Sequence, residues 1–154
     1  MYPTLLALHS LTRWLVLISL ITAIVIAYRG WLSNKRYSKL DNAVRHWTAT
    51  FAHIQLIIGL WLYFISPVIQ YFLQHYSDAV HQRPIRFFGM EHSIMMLTAI
   101  IVITIGSAKA KRKQADIDKF KTMAIWFSAA LLIILVSIPW PFSPMTGRPY
   151  FRAF

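Results

Sequence analysis

Four apolar runs, residues 5–28, 47–66, 88–108 and 122–138, follow one another along the chain, separated by short polar loops. Each is close to the ~20 residues that an α-helix needs to cross a hydrocarbon core of ~30 Å. Arg13 is the charge within the first run and Glu91 the charge at the start of the third, while the second and fourth carry none. A backbone in lipid has to satisfy its own N–H and C=O groups, which leaves helices or closed barrels, and the alternating ten-residue strands of a barrel are missing. The expected fold is an all-α membrane protein. It consists of one domain over residues 1–154, with four transmembrane helices in an up-down-up-down bundle. With 57% of its residues hydrophobic and a mean hydropathy of +0.51, the chain exceeds the apolar content of ordinary soluble domains.

The loops predict an orientation. Arg29, Lys35, Arg36, Lys39 and Arg45 lie between the first two runs, and Lys109, Lys111, Arg112, Lys113, Lys119 and Lys121 between the last two. The middle loop has only Arg83 and Arg86. By the positive-inside rule the two basic loops are cytoplasmic and both termini lie outside. Topology therefore accounts for the net charge of +11, and the basic residues lack the aromatic interleaving of a nucleic-acid surface. The first run lacks a basic leader and a small-residue cleavage site, so it is read as a retained helix. The second run has room to continue to Leu73, and the middle loop is amphipathic enough to extend that helix or to lie on the outer surface. The tail, residues 139–154, has four prolines and five aromatics and is expected to fold back over the outer end of the bundle.

With no cysteine, disulfides, thiolate metal sites and iron–sulfur clusters are excluded, and any ligand must come from His, Met, Asp, Glu or Tyr. At 1.5 Å per residue, His9 lies about 28 Å outward from Tyr28 and His92 about 25 Å outward from Lys109, which puts them at one level. First and third helices of such a bundle are diagonal, and bundle interiors are a recurrent place for cofactors. His9 and His92 are thus candidate axial ligands of one haem b near the outer face, the alternative being two interfacial histidines. Arg13, one turn deeper than His9, nearly matches Glu91 in depth. An Arg13–Glu91 ion pair between the two helices is expected, with a propionate contact for Arg13 or an orienting role for Glu91 as the functional versions.

His53 sits about 9 Å from Trp47, on the cytoplasmic half, too deep to share that site. A hydrogen bond to Thr22 or Thr104 is expected for it, with a proton or quinone contact beside Gln55 as the alternative. His46 and Met123 match in depth but lie close to the surface. His75, Asp78 and His81 drift around a helix and read as solvated. No phosphate loop, HExxH or nucleophile with an adjacent base is present, so hydrolase and transferase chemistry has no support.

The stretches "HSLTRW" (residues 9–14), "HIQLIIGLWLYFISP" (53–67), "FFGMEHSIMML" (87–97), "IGSAKAKRK" (105–113) and "IPWPF" (138–142) resemble small bacterial four-helix membrane proteins labelled cytochrome b-like. The resemblance implies haem b, electron transfer and a multi-pass place in the bacterial inner membrane. Diheme families of the cytochrome b561 type carry histidine pairs at two depths, whereas this chain has such a pair at one. The expected function is an electron carrier with a single bis-histidine haem b. The alternatives are a non-catalytic subunit or assembly factor of a larger membrane complex, such as a respiratory one, and a haem-free quinone- or lipid-binding protein.

Overall fold

The computed structural model describes the chain except residues 144, 145, 147, 148 and 151–154. Its helices are α1 (Tyr2–Leu32), α2 (Lys39–Ile65), α3 (Pro67–Gln74), α4 (Tyr76–Ala79), α5 (Arg83–Arg86), a π-helical turn (Phe87–Glu91), α6 (His92–Arg112) and α7 (Asp116–Ser137). Four of the helical stretches, Tyr2–Leu32, Lys39–Ile65, Arg83–Arg112 and Asp116–Ser137, are long and apolar enough to cross a membrane. All four outrun the apolar runs that announce them, because a helix does not stop where hydrocarbon would. The last turns of Tyr2–Leu32 and Arg83–Arg112 and the first turns of Lys39–Ile65 and Asp116–Ser137 carry charged residues of the basic loops.

Each boundary has a local cause. Helix α1 ends in a reverse turn in which the Lys35 amide donates to the Gly30 carbonyl (3.0 Å), with Asn34 in the left-handed region at φ 51°. Asparagine tolerates that conformation and closes helices in this way. Helix α2 opens on a capping box: the Asp41 amide donates to Ser38 Oγ, and Asp41 Oδ2 accepts from the Ser38 amide. Pro67 offers no N–H to continue α2, and Ser66 is extended at ψ 124°. The chain turns there into α3, so the second transmembrane helix does not run on to Leu73. Short α3 packs against α2, the π-turn, α4 and α5 and buries Ile69 and Phe72.

The four long helices form a ring in which α1 packs on α2 and α7, and α6 on α7 and α2, so that α1 and α6 are diagonal. Small residues allow close approach where the helices meet. Ala23, Ala27, Ala52, Ala99, Ala124 and Ala130 are almost wholly buried, and Gly106 leaves no room for a methyl group beneath Trp126. Leu20, Ile103, Met123 and Phe127 fill the centre. Outside, Ile18, Ile57, Phe64, Leu132 and Val136 are exposed, an apolar band that water would not tolerate and lipid would cover.

The basic end is closed by a paired polar cluster. Arg45, 5% exposed, donates to the carbonyl and hydroxyl of Ser107 on α6 and, from Nε and Nη2, to Asn42 Oδ1. Asp41 takes Lys35 at 3.0 Å. Tyr37 donates to Met123 Sδ across 3.5 Å, and burial holds its phenol above the ordinary tyrosine range. Met123 is thereby buried and engaged while His46 is exposed on the outside of α2, so the two do not form a ligand pair.

Candidate functional site at the proline-rich end

The site is built by helix terminations. In a continuing helix the carbonyls of Leu135 and Ser137 would accept from residues 139 and 141, but both are prolines and have no N–H. Trp140 Nε1 takes the Leu135 carbonyl at 2.9 Å, and His92 Nδ1 donates to the Ser137 carbonyl at 2.9 Å. The second bond fixes the imidazole of His92 by one nitrogen and leaves Nε2 for another partner. Metal-ligating histidines are commonly held in this way.

What aims His92 is the π-turn before it. The His92 amide donates to the Phe87 carbonyl, five residues back, and the Ser93 hydroxyl donates to the Phe88 carbonyl at 3.0 Å. The Gly89 carbonyl accepts from Tyr63 Oη at 3.1 Å. Gly89 is obligatory there, since a β-carbon would enter the ring of Phe72. One extra residue in the turn rotates everything before it relative to α6. Such bulges recur at functional sites.

Across the bundle, His9 on α1 is held from α2. Gln55 Nε2 donates to the His9 carbonyl at 3.0 Å and lies 3.3 Å from His9 Nε2, while Gln55 Oε1 accepts from the Thr12 hydroxyl. His9 Nδ1 is buried with no hydrogen-bond partner. Gly59 makes room for this ring: a methyl group there would stand 3.2 Å from His9 Cε1. One turn deeper, Arg13 donates from Nη2 to the Tyr150 carbonyl, which Trp14 Nε1 also reaches at 3.2 Å. Arg13 Nε is buried and unpartnered.

His9, Arg13 and His92 line one cavity of about 330 Å³, walled by Tyr2, Leu62, Ile69 and Phe88 and edged by Pro139 and Pro149. That volume falls at the lower end of small-molecule and cofactor sites. The described part of the tail packs against α1 at Arg13 and Trp14, where Trp140 meets Trp14 edge-on at 6.2 Å and Tyr150 at 6.4 Å.

Depth counting matched His9 with His92, and the structure brings both to the same cavity. It does not bring Glu91 to Arg13. Glu91 is bound by Arg86 at 2.7 Å, because the π-turn swings the carboxylate back toward α5. The depth estimate assumed a regular helix there. His53 is absent from the cavity and lies exposed on the flank of α2, its Nε2 2.9 Å from Thr104 Oγ1, one of the two partners anticipated. Thr12, Ser137 and the Tyr63–Gly89 bond were not anticipated. Prolines at positions 139 and 141 could have revealed Ser137, since they orphan its carbonyl.

Two imidazoles line this cavity, one held through Nδ1 and the other with its Nδ1 buried and unpartnered, beside an arginine whose Nε is also buried and unpartnered. Scans against family models, characterised proteins and solved structures return no match for the chain.

Proposed function

We propose that the protein is a small electron-transfer protein of the bacterial inner membrane. It holds one haem b between His9 and His92 near the outer face, as in the cytochrome b-like proteins that its motifs resemble. The observation that carries the reading is the pair of histidines on diagonal helices lining one cavity, with a buried His9 nitrogen that no protein group satisfies. A buried imidazole nitrogen without a partner is costly, and a bound group that completes the site removes the penalty. Held by His9 and His92, a haem would supply one-electron transfer rather than oxygen chemistry.

The chain's own residues do the rest. The Ser137 carbonyl sets the tautomer of His92, Gln55 and Gly59 position His9, Arg13 holds a carboxylate at the rim, and Trp14, Trp140 and Tyr150 limit access by water. That the exposed His53 lies apart supports one haem rather than two.

The decisive measurement is a dithionite-reduced minus oxidised spectrum of detergent-purified protein from haem-replete cells, with a pyridine haemochrome assay. One haem b per chain is expected, lost in His9→Ala and in His92→Ala. A colourless protein, or haem retained in both variants, overturns the assignment.

A second reading concerns His53. Thr104 Oγ1 donates to the Ile100 carbonyl at 2.7 Å, so it accepts from His53 Nε2–H, which leaves Nδ1 as a bare acceptor at bilayer depth. A quinol hydroxyl would supply the donor. Reduction of the purified protein by a short-chain quinol should then slow in His53→Leu, and an unchanged rate would remove the quinol contact.

A further inference from the structure

The opposite end of the molecule carries a second concavity, of about 520 Å³, lined by Tyr37, Ser38, Lys39, Asn42, Lys111 and Lys119. Three elements meet there: the start of α2, the end of α6 and the start of α7. The polar groups with spare capacity on its walls are donors. Asn42 Oδ1 is consumed by Arg45, leaving the side-chain amide to donate. Tyr37 Oη is turned to Met123.

The nearby carboxylates are already committed. Asp41 accepts from Lys35 and from the amide and hydroxyl of Ser38, and Asp116 accepts from Lys119 at 3.1 Å. Lys39 and Lys111 take part in none of the ion pairs among the described residues. Trp31, Trp47 and Trp126 mark the interfacial belt at this end, with Lys109 over the Trp126 ring at 4.5 Å and Lys121 over Trp31 at 5.6 Å. The residues that line the concavity lie at the loop ends of these helices, beyond that belt along each helix, where lipid phosphates are expected.

We infer that this concavity binds a phosphate group, with Lys39 and Lys111 as the charges that hold it and the Asn42 amide as a neutral donor. Its position makes an anionic glycerophospholipid headgroup the expected source, and free phosphate shares the chemistry. Basic pockets between transmembrane helices on the cytoplasmic side take such headgroups, and each lysine near the surface contributes a factor of about five in affinity. The inference is independent of the haem reading, because no residue is shared.

The test is native mass spectrometry of the detergent-purified chain titrated with phosphatidylglycerol or phosphatidylcholine, with thermal unfolding in inorganic phosphate as a parallel arm. Phosphatidylglycerol should bind in preference to phosphatidylcholine, and Lys39→Gln/Lys111→Gln should weaken it about 25-fold, fivefold per lysine. Arg112→Gln/Lys121→Gln removes the same charge from the same end without touching the concavity and should weaken binding less than the lining pair does. Protection by inorganic phosphate that disappears in the Lys39/Lys111 variant, without preference among the lipids, would also support the site and name the free anion as occupant. The inference fails if the control pair weakens binding as much as the lining pair. It also fails if neither phosphatidylglycerol nor phosphate depends on Lys39 and Lys111.

Discussion

The two ends of this bundle handle buried polar groups in opposite ways. At the basic end Asp41, Arg45, Thr48 and Ser107 are buried and bonded across three helices, Thr48 through the Ser19 carbonyl at 3.2 Å. At the proline-rich end stand His9 Nδ1 and Arg13 Nε, the two buried side-chain polar atoms without a partner among the described residues. A satisfied network braces helices, whereas unsatisfied groups in a cavity are tolerated where a ligand completes them. The contrast separates a structural end from a functional one on energetic grounds, with no reference to residue type.

Stability measurements on the haem-free protein, by denaturant titration in detergent, put that contrast to the test. Arg45→Ala strands Asn42 Oδ1 and the Ser107 hydroxyl and is expected to lower stability by about 2–3 kcal/mol. His9→Leu removes a group whose Nδ1 bonds nothing and should stay within about 1 kcal/mol of the parent. Equal losses in the two variants would abolish the distinction between brace and site.

A smaller effect distinguishes two glycines. Gly106→Ala drives a methyl group into Trp126 at the α6–α7 interface and should lose about 1–3 kcal/mol. Gly59→Ala meets only the movable ring of His9. It should be neutral or gain up to about 1 kcal/mol through helix propensity, while haem affinity falls because the imidazole is displaced. Haem binding unchanged in Gly59→Ala would show that His9 is not held where the structure places it.

The smallest effect belongs to the lipid-facing pair. His53→Phe removes one interhelical hydrogen bond, which averages about 0.6 kcal/mol in membranes. A loss several times larger would mean that His53 belongs with the braced cluster.

Much of the architecture was legible in the chain because lipid imposes a length and a composition on each crossing segment. The connections 33–38 and 113–115 are short, and α2 also packs on α6 across the longer middle connection, so consecutive helices are neighbours and α1 and α6 fall on a diagonal. Depth arithmetic worked for His9 and His92 because α1 is a regular helix over its length and α6 is one from His92 onward. It failed for Glu91, which lies within the π-turn, where one residue of slippage rotates a side chain away from its expected face. Hydrophobic periodicity carries no mark of such a turn. The turn persists because Tyr63 and Ser93 take up the carbonyls it releases, and both bonds are tertiary or local accidents of geometry.

The sequence by itself determined that four helices cross the bilayer, which end carries the positive charge, and that two histidines share a level, whereas the break of α2 at Pro67 emerged only in the structure. The first three follow from transfer free energy and from helix rise, which act residue by residue. Only the tertiary structure decided that Arg86 rather than Arg13 pairs with Glu91, that Ser137 and Gln55 hold the two histidines, and that His53 faces outward. Those outcomes depend on helix rotation about its own axis, and a rotation is set by packing between helices.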